Sequence, residues 1–214
     1  MPGEKAPEEQ RKEQILRAAL AVATRQRLEG LSTRAVTTEA GLSHGMVFFH
    51  FRTKDALLIA LLESLLEEMA VPRLDEDLQE ITWPSERLLE LLRREIGRLL
   101  AERSKVELFF DYWVMGTRHP AIRQRMRGAL ERYRELLRAI AEEVVRQAPP
   151  RLAAVSADGL AAVVVGFIEG CAVQAVIDPD RFDLEEFMTT ARALLAQLGG
   201  EERRPRAKRL GKER

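Results

Sequence analysis

What most restricts the folding of this chain is a helical repeat of apolar residues, renewed in segment after segment between Ser, Gly and Pro breaks. From 13 to 28, Ile15, Ala19 and Val22 share a face with Leu16, Leu20 and Ala23, which predicts one amphipathic helix closed by Gly30. Ser32 is placed to cap a short helix over 33–40 that turns Val36 and Ala40 inward; Gly41 supplies a positive φ for a tight turn, and Ser43 caps a third helix over 44–51. Arg52-Thr53 opens a longer helix through Ala56, Leu57, Ala60, Leu61, Leu65 and Met69 that stops before Pro72. The acidic stretch 73–83 reads as a connector. Beyond it the pattern predicts helices over 86–102, 106–116, 120–147, from 151 or 156 to 177, and 184–198, the last opened by Asp183 and Glu186 in a capping-box-like start. No segment alternates as a strand does, and nothing recurs at a fixed period. The expected fold is all-α, with about nine helices.

Size and composition remove several classes of function. The 214 residues allow one large domain or a small one joined to a larger, enough for a proper core. The single cysteine, Cys171, cannot form an intramolecular disulfide, and three histidines are too few for a structural zinc site, so no metal or cofactor is expected and a reducing, cytoplasmic setting fits. Met1 to Lys5 lacks the basic-then-apolar order of an export signal, and apolar runs such as 160–165 fall short of the roughly 18 residues that span a bilayer, so no membrane partner is expected. The formal charge is zero, but nine basic residues meet seven acidic ones over 1–60, 18 meet 24 over 61–200, and seven meet three over 201–214. The basic tail from Arg203 to Arg209 reads as a solvated, disordered end.

The chemistry concentrates between Ser32 and Leu57. Two short helices joined by Gly41-Leu42-Ser43 have the dimensions of a helix-turn-helix, with Val36, Ala40, Leu42, Val47 and Phe51 to clamp it on a small core. His44, Met46, Phe48 and Phe49 then face outward, where a duplex major groove admits a helix. Thr53 and Lys54 open the next helix, whose free N–H groups and ammonium suit a phosphate oxygen. A rival reading is available, because Gly41-Leu42-Ser43-His44-Gly45 matches the G-x-S-x-G elbow of serine esterases. That elbow needs a buried strand before Ser43, whereas 33–40 is helical, and His119 has no obvious acid partner in the sequence. No enzymatic activity is expected.

Ser32-Thr33-Arg34-Ala35-Val36, Glu39-Ala40-Gly41-Leu42-Ser43-His44-Gly45 and His50-Phe51-Arg52-Thr53-Lys54-Asp55-Ala56-Leu57 together resemble the tetracycline-repressor (TetR) family of transcriptional regulators. The resemblance implies a DNA-binding domain at 1–52 and a helical ligand-binding and dimerisation domain at 53–200, joined through a connecting helix at 53–71. It implies phosphate contacts from Ser32, Thr33 and Lys54, and entry of the 44–51 helix into the major groove. The DNA-facing set is thus Ser32, Thr33, Arg34, Ser43, His44, Gly45, Met46, Phe48, Phe49, His50, Thr53 and Lys54, with Arg34 assigned either to DNA or to the turn. Two departures stand out: Phe48 where the family usually has tyrosine, and Arg27 where it often has glycine. Phe48 forgoes a hydroxyl able to reach phosphate and offers instead an apolar face to a thymine methyl.

For the second half, the resemblance implies a small-molecule pocket and a twofold seam. Candidates to line the pocket are Phe109, Phe110, Tyr112, Trp113, Met115, His119, Met126 and Tyr133, with Phe167 and Cys171. Arg118, Arg123 and Arg125 would hold a carboxylate or phosphate at its mouth, so the expected effector is apolar or amphipathic, a fatty acyl-coenzyme A or another lipid-like molecule among the candidates. The segment 161–177 is apolar nearly all round with small residues along it. Ala162, Val165, Gly166, Glu169, Gly170 and Val173, with Leu184, Phe187 and Leu194, are assigned to a homodimer seam. The whole reads as a repressor released from a pseudo-palindromic operator on double-stranded DNA when the effector shifts the connecting helix. The alternative is a ligand-free DNA-bound structural or division-control protein with a filled second core.

Overall fold

The computed structural model describes residues 8–68 and 76–196, so the basic tail and the end of the connecting helix at 69–71 lie outside the described residues. Ten α-helices and one 3-10 turn account for them, with no strand among the described residues. They are α1 (Glu8–Gly30), α2 (Thr33–Ala40), α3 (His44–His50), α4 (Lys54–Glu68), α5 (Glu76–Glu80), α6 (Pro84–Ala101), α7 (Arg103–Gly116), α8 (Pro120–Gln147), α9 (Ala157–Ile177) and α10 (Leu184–Ala196), the turn being Pro150–Leu152. The extra helix relative to the nine expected is α5, one short turn inside the predicted connector. Its low apolar periodicity hid it, and it is held from outside, by Arg94 of α6 reaching Asp77 at 2.7 Å.

The helices pack as two units, Met1–Val71 with Arg98–Tyr133, and Pro72–Gly97 with Arg134–Arg214. That division differs from a boundary at residue 52. In the first unit, Ile15, Ala19 and Val22 of α1, Val36 of α2, Val47 of α3 and Leu57, Leu61 and Leu65 of α4 share one apolar core with Leu108 and Tyr112 of α7 and Ile122 and Met126 of α8. The fully buried Tyr112 sends its hydroxyl 2.8 Å to the Leu58 carbonyl, giving a large aromatic residue inside a core its polar partner.

In the second unit, Leu88 and Leu92 of α6, Leu137 and Ile140 of α8, and Leu160, Val164 and Ile168 of α9 are buried. Glu90 of α6 lies within 2.7 Å of Arg93 and 2.8 Å of Arg94. Hydrogen bonding from Arg93 above all, reinforced by Arg94 and opposed by partial burial, holds its carboxyl down to about 2.

Tyr112→Phe keeps the ring but removes the donor to Leu58. We expect its urea unfolding midpoint to fall by the equivalent of about 1 kcal/mol with an unchanged slope.

Candidate nucleic-acid interface

Three successive helices begin on a hydroxyl residue. Ser32 accepts from the Ala35 amide at 3.1 Å, Ser43 from Met46 at 3.3 Å, and Thr53 from Ala56 at 3.0 Å. Each oxygen satisfies an orphan N–H of its helix and leaves the hydroxyl proton free to donate outward, as a phosphate contact requires. Ser43 is thus a cap at the start of α3, and the element before it is α2, a helix. The esterase elbow lacks its strand.

Between these caps the turn is built as the residues dictate. Gly41 sits at φ 63°, ψ 30°, and its amide closes α2 on Thr37 and Thr38. Gln14 of α1 donates to the Ala40 carbonyl at 3.0 Å, and Arg25 pairs with Glu39, so α2 is tied to α1 at its exit. Val36, Val47 and Phe51 are buried, and Ala40 and Leu42 pack against them. His44, Gly45, Met46, Phe48 and Phe49 are exposed, while His50 is half-buried. Arg34, Arg52 and Lys54 are exposed, and Thr33 is half-buried. The assigned DNA-facing residues therefore lie on α2, α3 and the start of α4, around one capped turn.

Arg27 explains its own departure from glycine. Its backbone adopts φ 60°, ψ 179°, a region that side-chain-bearing residues rarely enter, and this breaks α1 before Leu28. The guanidinium is gripped by α7: Nε and Nη2 donate to Asp111 at 2.8 and 2.6 Å, Nη1 to Glu107 at 2.9 Å, and Nη2 to the Glu107 carbonyl at 2.9 Å. Four donor contacts hold a strained residue in place. Glu107 and Asp111 stand four residues apart on one face of α7, where Glu107 also takes Arg103 of the same helix at 3.0 Å; Arg27, 80 or more positions away, is the partner that local spacing cannot show. Gly30 just beyond is needed sterically, because a Cβ there would fall 2.5 Å from that of Gln26.

The residues assigned to an effector pocket belong to both units. Tyr112 and Met126 are core, Phe109 and Met115 pack against that core, and Phe110 is half-buried. Trp113 is 41% exposed. Tyr133, Phe167 and Cys171 are at the end of the first unit and within the second, and burial pushes the Cys171 thiol up to about 12. Phe167 meets Phe187 edge-on at 6.0 Å.

Of the arginines expected to hold an anion, Arg123 donates to the Gly116 and Thr117 carbonyls at 3.0 and 2.5 Å, closing α7. Arg125 pairs with Glu63 at 2.6 Å, and Arg118 is exposed. A polar groove of about 460 Å³ runs between α4 and α8, lined by Glu63, Leu66, Glu67, Gln124, Arg125, Gly128 and Arg132. None of the assigned aromatic residues lines it. His119 does have an acid nearby, contrary to the sequence reading: its Nε2 is 3.6 Å from Asp55, while its Nδ1 accepts from the Ile122 amide. The partner is 64 positions away in the chain, which local spacing cannot show.

On α9, Val163, Gly166, Val173 and Ile177 are exposed and Gly170 half-exposed, at spacings of three, four, three and four residues. Ala162 is exposed beside them, but Val165 is buried within its own chain. Val163 and Ile177 belong to that face, and the sequence reading omitted them. On α10, Leu194 is exposed, with Leu184 and Phe187 half-buried. As one continuous helix of 21 residues α9 is also long and apolar enough to cross a membrane, with a mean hydropathy of 2.1 over an 18-residue window, more than its short uninterrupted runs suggested.

A capped helix-turn-helix whose second helix points outward from a helical core defines a DNA-binding transcriptional regulator. Residues 15–61 match the family described as bacterial regulatory proteins, tetR family, and residues 84–200 match the C-terminal domain of BetI-type transcriptional repressors. The chain belongs to the TetR family of transcriptional regulators. It is 27% identical over 188 residues to an uncharacterized HTH-type regulator from the dhlA 5′ region of Xanthobacter autotrophicus, covering 87% of this chain and 89% of that one. It is 24% identical over 173 residues to the nicotine-responsive repressor HdnoR of Paenarthrobacter nicotinovorans, covering 79% and 85%. In fold it is similar to a regulator from Saccharomonospora viridis solved in complex with choline, with a TM-score of 0.70 at 20% identity, covering 87% and 95%.

Two measurements follow from this geometry. Arg27→Ala loses the grip on α7 and keeps the strain, whereas Arg27→Gly loses the grip and relieves it. The alanine variant should therefore be the less stable in denaturant unfolding, by about 1–3 kcal/mol. Glu169 of α9 has its carboxyl raised by burial, against a smaller opposing effect of Arg134. A raised carboxyl contributes stability present below its ordinary value of 4.5 and lost as pH rises through the raised one. Glu169→Gln should accordingly melt higher than the wild type at pH 7, with the gap closing by pH 4.

Proposed function

We propose that this protein is a homodimeric repressor that grips a pseudo-palindromic operator with two copies of α3 and lets go when a small amphipathic effector binds its helical region. The observation that carries this reading is α3 itself, a seven-residue helix capped at Ser43, clamped by Val47 and Phe51, and exposing His44, Met46, Phe48 and Phe49. A helix so presented fits a major groove, with Thr53 and Lys54 beside it to take a phosphate.

Twofold association is favoured by α9. Its exposed face repeats at the spacing of two close-packed helices, and the glycines at 166 and 170 let backbones approach. A second copy is the occupant we favour over lipid, because Asp158, Glu169 and the pairing of Asp158 with Arg138 at 2.5 Å put charge along the helix. The α9 and α10 faces of two chains would then form a four-helix seam, two half-sites about one helical turn apart.

An effector role is supported by relatives named for their response to nicotine or solved with choline, both small organic cations at neutral pH. The engagement of Arg123 and Arg125 in protein contacts leaves Arg118 as the exposed anion handle, which speaks for such molecules over a fatty acyl-coenzyme A. Binding that favours one arrangement of α4 would change DNA affinity by no more than its differential affinity, about 1–3 kcal/mol.

The test uses full-length protein on the DNA upstream of its own gene. Affinity should fall steeply with salt, and Lys54→Ala should make the log–log slope shallower by about one; a flat salt response would overturn the reading. Gly166→Leu places a bulky side chain at an exposed position where nothing in the chain lies within 4 Å of the new Cβ. In analytical ultracentrifugation it should leave a folded monomer in place of a dimer, and a wild type that sediments as a monomer at micromolar concentration would remove the seam. Choline or nicotine should raise the melting temperature and weaken the DNA complex.

A further inference from the structure

The exposed side chains of α3 are unusual in kind. His44, Met46, Phe48 and Phe49 face solvent, and none is an Arg, Lys, Asn, Gln, Asp or Glu, the residues that read guanine, adenine or cytosine through hydrogen bonds to the base edge. His44 presents one imidazole, stacked toward Phe48 with ring centroids 6.5 Å apart, and an imidazole cannot make the two-pronged contact that singles out guanine. Ser43, whose oxygen accepts from the Met46 amide, keeps a single hydroxyl proton, too few for that two-pronged contact. What remains is apolar: Phe48 is 51% exposed, Phe49 69% and Met46 37%.

A phenyl ring has no donor for a phosphate, and its electron-rich face repels one, so these rings do not serve the backbone contacts. The cations nearby lie off α3, Arg34 on α2, Arg52 in the bend after α3 and Lys54 at the start of α4, and contacts from such groups to phosphates supply affinity without sequence information. The apolar group that a major groove offers is the C5 methyl of thymine, and its position distinguishes A·T from T·A and both from G·C.

We infer that α3 selects its part of the operator half-site through thymine methyl groups packed against Met46, Phe48 and Phe49, and not through hydrogen bonds to guanine. The inference rests on the DNA-binding reading and adds the chemical class of sequence that the same surface takes. The contacted positions are A·T pairs in a set orientation, and discrimination comes from methyl burial. Each methyl is worth about a fourfold change in affinity, one buried CH₂.

The experiment selects bound duplexes from a random library with the full-length protein, then resynthesises the selected half-site in two series. One replaces each thymine in turn with deoxyuridine, which removes only the methyl; the other replaces each guanine with 7-deazaguanine, which removes the N7 acceptor. We expect deoxyuridine to weaken binding three- to tenfold at one or more positions per half-site, and 7-deazaguanine to change it less than twofold. Phe48→Ala or Phe49→Ala, at exposed positions that leave the fold intact, should abolish the deoxyuridine effect at the position each ring covers. Deoxyuridine without effect anywhere, together with a tenfold loss from 7-deazaguanine, would overturn the inference while leaving DNA binding in place. Failure of the wild type to enrich any duplex would overturn both.

Discussion

A helix of seven residues is too short to persist in water, so everything this protein does at its outward surface depends on the burial of one side of α3. Val47 has no exposure and Phe51 has 4%, and both sit in the core shared with α1, α2 and α4. Burying side chains of that size contributes about 1.5–3 kcal/mol each, more than the roughly 1 kcal/mol of the Ser43 cap. Packing therefore decides that the helix exists, and the cap decides where it starts. The same burial orients the other faces, since residues one or two places from Val47 are turned by about 100° or 200° around the helix from it. Met46, Phe48 and Phe49 are exposed because Val47 is not.

That core does not stop at the DNA-facing helices. Leu108 and Tyr112 of α7 and Ile122 and Met126 of α8 belong to it, and α7 packs on α1 and α4 within the same core. Arg27 adds a second tie. A backbone held in a glycine-favoured region costs about 1–3 kcal/mol, and four charge-assisted donor contacts, discounted because the side chain is 39% exposed, are of similar size. The two nearly offset each other. A displacement of α7 has either to carry the end of α1 with it or to break these contacts and release the strain, which gives the first unit a mechanical connection between α7 and the helix-turn-helix.

Most helix limits were legible in the sequence because caps and breakers act locally. Ser32, Gly41, Ser43, Pro120, Ser156 and Asp183 stand where helices begin or end. The helix-turn-helix was legible for the same reason: its caps, its turn glycine and its outward residues all lie within two dozen positions of one another. The pocket assignments fared differently. An aromatic residue at helical spacing looks alike whether it lines a cavity or fills a core, and Tyr112 fills one because its hydroxyl finds the Leu58 carbonyl, 54 positions away. Val165 and Val163 were likewise indistinguishable along an all-apolar helix, until neighbouring helices covered the first and left the second bare.

Spacing and side-chain chemistry over a few turns are enough to show an all-α character, a helix-turn-helix from Ser32 to Leu57, and aromatic groups on α3 in place of basic or amide ones. Packing was needed to show which face of α9 is left uncovered, that Arg27 is strained and anchored on Glu107 and Asp111, and that His119 meets Asp55. Each of those joins or exposes residues through packing between distant segments, which local periodicity does not encode.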